Sequence, residues 1–91
     1  TNLVRTMRFL QDTHKVFFFG TSEKAEKELY EVDLEGPLGL VMGGEGKGVR
    51  RLTSENCDLM IKLPMLGALE SLNVSVATGI CLYEAVRQRS S

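Results

Sequence analysis

Four glycines crowd the six positions Gly43-Gly44-Glu45-Gly46-Lys47-Gly48, directly after the apolar run Leu38 to Met42. Backbone without Cβ atoms turns tightly and can approach a ligand closely, so this loop is the segment best suited to cradle one. Two phosphate-binding patterns fail against it. A Walker A loop needs Ser or Thr after Gly-Lys, but Gly48 follows Gly46-Lys47. A GxGxxG fingerprint needs its last glycine one place later than Gly48. Glu45 would also repel a phosphate. A plain strand-to-helix turn is the alternative reading of the loop.

A second group of polar residues is Ser71, Asn73 and Ser75, around the start of a helical segment. Ser71 can serve as a simple N-cap. The segment opens Ser-Leu-Asn-Val-Ser-Val-Ala-Thr-Gly, a poor helix former with three β-branched residues and a glycine. Small residues at Ser75, Ala77 and Gly79 allow another backbone close by, from a partner helix or from the domain's own strands. Lys47, Arg50 and Arg51 form one basic cluster, and Arg87 with Arg89 a second. His14 has no nucleophile or carboxylate companion and reads as a surface histidine. Tyr30 and Tyr83 read as packing at the rim of the core. Cys57 and Cys81 form no CxxC and have no histidine pair nearby, which argues against a metal site, a redox pair and a disulfide.

Elements that could position these residues follow from hydrophobic patterning. With 91 residues, 43% hydrophobic and 25% charged, the chain suits one globular domain. A net charge of −1 does not by itself announce a nucleic-acid binder. No apolar run is long enough to cross a bilayer and no signal peptide is visible, so a cytoplasmic-type domain without membrane contact is expected. Asn2 to Asp12 carries Leu3, Met7 and Leu10 on one helical stripe, with Asn2 as N-cap. Val16 to Phe19, Leu38 to Met42 and Leu59 to Leu63 are short unbroken apolar runs, as expected of strands in a parallel sheet. Helices are expected at Glu23 to Tyr30, at Val49 to Asn56, and from Ser71 with Leu72, Val76, Gly79, Ile80 and Tyr83 on one stripe. The alternation predicts an α/β domain whose parallel sheet is flanked by helices. Ligands of such sheets sit beyond the carboxyl ends of the strands, which selects the loops at Gly20-Thr21, Gly43 to Gly48 and Pro64 to Leu72.

Two of these loops match a family. Leu40-Val41-Met42-Gly43-Gly44-Glu45-Gly46-Lys47-Gly48 resembles the second motif of the SpoU (TrmH-type) RNA 2′-O-methyltransferases. Ile61-Lys62-Leu63-Pro64-Met65 with Ser71-Leu72-Asn73-Val74-Ser75-Val76-Ala77 resembles the third. The opening Thr1 to Met7 and the ending Gly79 to Arg89 are similar to the branch that methylates a guanosine 2′-hydroxyl in 23S ribosomal RNA. The resemblance implies a SPOUT-type fold with a trefoil knot, one of the rare exceptions to unknotted topology. It also implies S-adenosylmethionine as cofactor, ribosomal RNA as substrate, a homodimer and no metal.

Carried over residue by residue, Gly43, Leu63 and Leu72 would contact the cofactor, with Met65, Gly20 and Thr21 as further candidates for the same pocket. Glu45, Ser71 and Asn73 match polar positions that organise the active site, and Lys47, Arg50 and Arg51 could contact RNA phosphates. Because the cofactor has no phosphate, the failed phosphate patterns are consistent with it. The family's first motif and its N-terminal RNA-binding domain find no match within residues 1–91. The expectation is therefore a C-terminal piece of the methyltransferase domain, inactive alone but holding cofactor-binding and dimerisation elements. Two other readings differ in class: a non-catalytic RNA-binding or dimerisation module on a knot fold, and a Rossmann-type nucleotide-binding domain.

Overall fold

The computed structural model describes residues 2–22, 24–42, 53–63 and 74–90. Helix α1 (Asn2–His14) forms on the expected stripe: Met7 is buried and Leu10 half-buried, although Leu3 stays exposed. Asn2 is not a cap. It is the first helical residue, and its carbonyl accepts the Thr6 hydroxyl at 2.9 Å. The helix stops where Lys15 turns left-handed, at φ 57°. Beyond it the Val16 N–H reaches back to the Leu10 carbonyl at 3.2 Å and satisfies one of the helix's last acceptors.

Strand β1 (Phe17–Thr21) follows and becomes an inner strand of the sheet. Successive side chains point to opposite faces of a strand, and both Phe18 and Phe19 are buried, so both faces of β1 are covered. On one side it pairs in parallel with β3 (Leu38–Val41), with Phe19 opposite Leu40 and Gly20 opposite Val41. On the other it pairs in parallel with β4 (Leu59–Lys62), with Gly20 opposite Met60 and Thr21 opposite Ile61. The two-residue β2 (Lys27–Glu28) lies outside β4, giving the order β2-β4-β1-β3.

The expected helix at Glu23 to Tyr30 is absent from residues 24–30. In its place are β2 and a 3-10 turn, Leu29–Glu31. Leu29 is completely buried and drives this segment into the core. The Glu28 N–H donates to the Glu31 carboxylate at 2.8 Å and fixes the turn. Of the helix expected at Val49 to Asn56, residues 53–55 are helical and the rest of the described part is turn. Residues 49–52 lie outside the described residues.

The last helix, α2 (Val74–Arg89), covers the face of the sheet that carries Phe19 and Ile61. Its buried face is Ala77, Cys81, Glu84 and Ala85, with Ile80 half-buried. The expected stripe was largely the wrong one, because Val76, Gly79 and Tyr83 are exposed. Apolar residues surround this helix, so hydrophobic spacing alone does not select a face. Tyr30 and Tyr83 likewise stand out in solvent rather than closing the core, Tyr83 being 74% exposed. The core joins Phe19, Leu29, Leu34, Ile61, Cys81 and Ala85, with Leu38, Leu40, Met42, Leu59 and Leu63 packed against it. The segments that would thread the expected knot, residues 43–52 and 64–73, lie outside the described residues.

Candidate functional site

Parallel pairing brings the carboxyl ends of β3, β1 and β4 side by side, because Gly20 is in register with both Val41 and Met60. Met42 and Leu63 are the next residues of β3 and β4, and both are half-buried against the core. Each leads directly into one of the two motif-bearing segments. The edge of the sheet therefore offers two apolar side chains flanking the end of β1. Lys62 is one residue earlier than Leu63 and alternates to the opposite face. Such an edge suits a flat apolar ring recognised through backbone groups, and an anion has little to hold it there. Met42 was not singled out as a site residue, although its place at the end of an apolar strand run was the available signal.

Thr21 closes β1 opposite Ile61 and is half-buried at this edge. The next residue, Ser22, donates its N–H to the Ile61 carbonyl at 2.9 Å, so that acceptor is already engaged. Gly20 has a different explanation from ligand approach. A Cβ there would meet Met60 Sδ at 2.7 Å and Cys57 Sγ at 3.1 Å, so the missing side chain makes room for the protein's own sulfur atoms. Gly43, Glu45, Met65, Ser71, Leu72 and Asn73, with Lys47, Arg50 and Arg51, lie outside the described residues.

Two polar networks set the elements around this edge. At the amino end of β4, the Asp58 carboxylate accepts the Phe18 N–H at 2.8 Å and the Gln11 amide at 3.0 Å. Gln11 also donates to the Asn56 carbonyl at 3.1 Å, and Arg8 Nε to Asn56 Oδ1 at 3.2 Å. The second half of α1 is thus tied to the start of β4. At the far end of α2, Gln88 accepts the Leu34 N–H at 2.7 Å and donates to the Val32 carbonyl at 2.9 Å. Arg89 donates to the carbonyls of Leu34 at 3.2 Å and Gly36 at 2.6 Å.

That second network places the C-terminus of α2 beside the segment entering β3, so the helix runs antiparallel to the strands. A 16-residue helix spans about 24 Å. Its N-terminal end, where the third motif leads in, therefore returns to the carboxyl edge of the sheet. Sequence reasoning treated Arg87 and Arg89 as a basic surface patch. Arg89 is a clamp on carbonyls, and Arg87 forks onto Glu84 with two contacts of 2.8 Å. Glu84 is only 4% exposed, and its hydrogen bonds from Arg87 and Gln88 hold it down to about 2.

Both thiols are held toward the neutral form. Burial, and then the neighbouring Asp58 charge, pushes Cys57 up to about 11, and burial raises Cys81. Among the described residues there is no cluster of three or more His, Cys, Asp or Glu that could hold a metal, and no helix long and apolar enough to cross a membrane.

Comparison with known proteins bears on the same residues. The family model described as the SpoU rRNA Methylase family matches residues 1–83. The 23S rRNA (guanosine-2'-O-)-methyltransferase RlmB of Ralstonia nicotianae is 59% identical over 90 residues, covering 99% of this chain and 36% of that protein. The TrmH/SpoU tRNA modifying enzyme of A. aeolicus superposes with a TM-score of 0.78 at 39% identity, over 99% of this chain and 45% of that one. The SpoU methyltransferase AviRb from Streptomyces viridochromogenes, solved in complex with the cofactor AdoMet, superposes with a TM-score of 0.77 at 30% identity, over 93% of this chain and 35% of that one. The chain thus spans 36% of the length of the first curated relative.

Proposed function

The chain belongs to the SpoU rRNA Methylase family, and from that premise we propose that the protein carrying it methylates the 2′-hydroxyl of a guanosine in 23S ribosomal RNA. The observation that supports this most directly is the shared carboxyl edge, where β3 and β4 deliver the second and third family motifs to either side of β1. S-adenosylmethionine, when bound, supplies a methyl group already activated on a sulfonium. The protein's part is then alignment and handling of the hydroxyl proton. Met42 and Leu63 give the edge the apolar character an adenine ring needs. Gly43, Leu72 and Met65 take the cofactor-contact roles that the family motifs assign them, and Thr21 stands at the same edge.

Asn73 and Ser71 orient the ribose or the loop backbone, Glu45 fixes a basic partner, and Lys47, Arg50 and Arg51 hold RNA phosphates. Cytoplasmic work as a homodimer completes the proposal. Its dimer surface is the outer arc of α2, where Val76, Leu82, Tyr83 and Val86 are exposed beside the small residues Ser75 and Gly79. Ala77, by contrast, is buried in the domain itself.

The test uses the full-length protein, a 23S rRNA transcript and methyl-labelled cofactor. Label should appear on a guanosine ribose, and Asn73→Ala should cut turnover by about 100-fold while changing cofactor affinity by less than about threefold, as for a group acting mainly in the transition state. Label on a base, or no transfer to RNA, would refute the proposed activity. Full turnover in Asn73→Ala would refute the role given to that residue.

A further inference from the structure

Positive charge in this chain is distributed unevenly. Residues 1–22 carry Arg5, Arg8 and Lys15 against the single carboxylate of Asp12. Residues 23–35 carry Glu23, Glu26, Glu28, Glu31, Asp33 and Glu35 against Lys24 and Lys27. The other basic residues in described helix, Arg87 and Arg89, are committed to Glu84 and to backbone carbonyls. The cations of α1 and of the turn that ends it are differently placed. Arg5, Arg8 and Lys15 are all exposed, and Arg8 makes a single side-chain contact to Asn56 that steadies the guanidinium against the domain.

The same helix exposes an aromatic ring. Phe9 is 56% exposed, one turn from Arg5 on the face turned away from Met7, with Asp12 on that face too. His14 packs against the Phe9 ring with centroids 5.7 Å apart, which restricts the ring's orientation at no cost to its exposure. The hydrogen bonds from Gln11 to Asn56 and Asp58 put the C-terminal half of α1 at the amino end of β4. From Gln11 the helix leads back to Asn2 over about 14 Å.

We propose that the outer face of α1, with Arg8 at its flank and Lys15 in the turn that follows, is an RNA-contact surface formed by residues other than those of the family motifs, with Arg5, Arg8 and Lys15 on backbone phosphates and Phe9 stacked under a base. The inference rests on the RNA reading above. Guanidinium groups match phosphate geometry, and an exposed ring stacks on any base, so the chemistry is that of sequence-tolerant strand binding. Such contacts place the substrate and add no specificity for the modified nucleotide.

The experiment measures binding of the full-length protein to a 23S rRNA transcript across a salt series. The pair Arg5→Ala and Lys15→Gly should lower the slope of log K against log[salt] by about 1.4, the value for two single-strand phosphate contacts. Phe9→Ala should weaken binding by about fivefold or more with the slope unchanged. Affinity for S-adenosylhomocysteine and native mass should stay as in the parent protein. Unchanged RNA affinity and slope would overturn the inference. So would a fall in native mass, which would make this face a contact between copies of the chain. If the parent protein binds and methylates RNA while the variants match it, only this inference fails. If the parent binds no RNA, the proposed function fails with it.

Discussion

Glu84 is a carboxylate almost wholly shielded from water, and it remains charged because Arg87 and Gln88 donate to it. Its folded-state value of about 2 lies below the ordinary 4.5. The unfolded chain therefore takes up the proton first, and the stabilisation is fully present above about pH 4.5 and disappears as pH falls toward 2. Acid titration followed by circular dichroism should show part of the stability loss in that window, and Glu84→Gln should remove that part of the slope. A variant with the same acid slope as the parent would show that other carboxylates control it. Lys15 illustrates the opposite case, a side chain where the backbone favours none. At φ 57° a Cβ costs about 1 kcal/mol relative to glycine, so Lys15→Gly should raise stability by up to that amount in urea unfolding.

Between β1 and β3 the limiting contact is a ring against a bare backbone. A Cβ on Gly39 would collide with the Phe18 ring, 2.6 Å from Cδ1, and Phe18 is buried. Gly39→Ala should therefore cost about 1–3 kcal/mol, measured as a drop in the urea midpoint with unchanged slope. Gly20→Ala should cost less, because the obstructing atom belongs to the flexible Met60 side chain. Equal costs would mean that the Phe18 ring yields as easily as a methionine. Neither packing partner could be named from sequence, although the strands that carry them were legible. Val16 to Phe19, Leu38 to Met42 and Leu59 to Leu63 are continuous apolar runs, and burial on both faces of a parallel sheet produces that pattern. The stretch 24–31 was illegible for the converse reason. Its charged residues suggest an exposed helix, and its path is set by Leu29 entering the core and by pairing with β4. For the site, the carboxyl edge followed from the alternation of strands and helices, and the roles proposed for the loops were carried over from the family motifs. The clamp by Gln88 and Arg89 was hidden, since both residues look like ordinary surface polar groups until the segment 32–36 lies beside them.

At the scale of the whole molecule, α2 has two apolar sides and the domain covers only one. Ala77, Cys81 and Ala85 face the sheet, while Val76, Leu82, Tyr83 and Val86 face solvent along the opposite arc. Patches of this kind usually mark contact with another protein. A stable dimer buries about 800 Å² on each partner, more than one helix face supplies, so neighbouring segments must join the contact. Tyr83 is the most exposed of the four, and Gly79, one turn before it, has open space where a Cβ would stand. Two copies of α2 could therefore approach closely along this arc. If they do, Tyr83→Glu buries an unpaired carboxylate at the contact and weakens the dimer by about 3 kcal/mol or more. Light scattering of the full-length protein at micromolar concentration should then shift from dimer to monomer mass. Affinity for S-adenosylhomocysteine reads a second quantity on the same sample. If it falls with the mass, the partner copy helps to complete the pocket; if it holds, the carboxyl edge of one sheet suffices. A dimer that survives the substitution would move the interface away from α2.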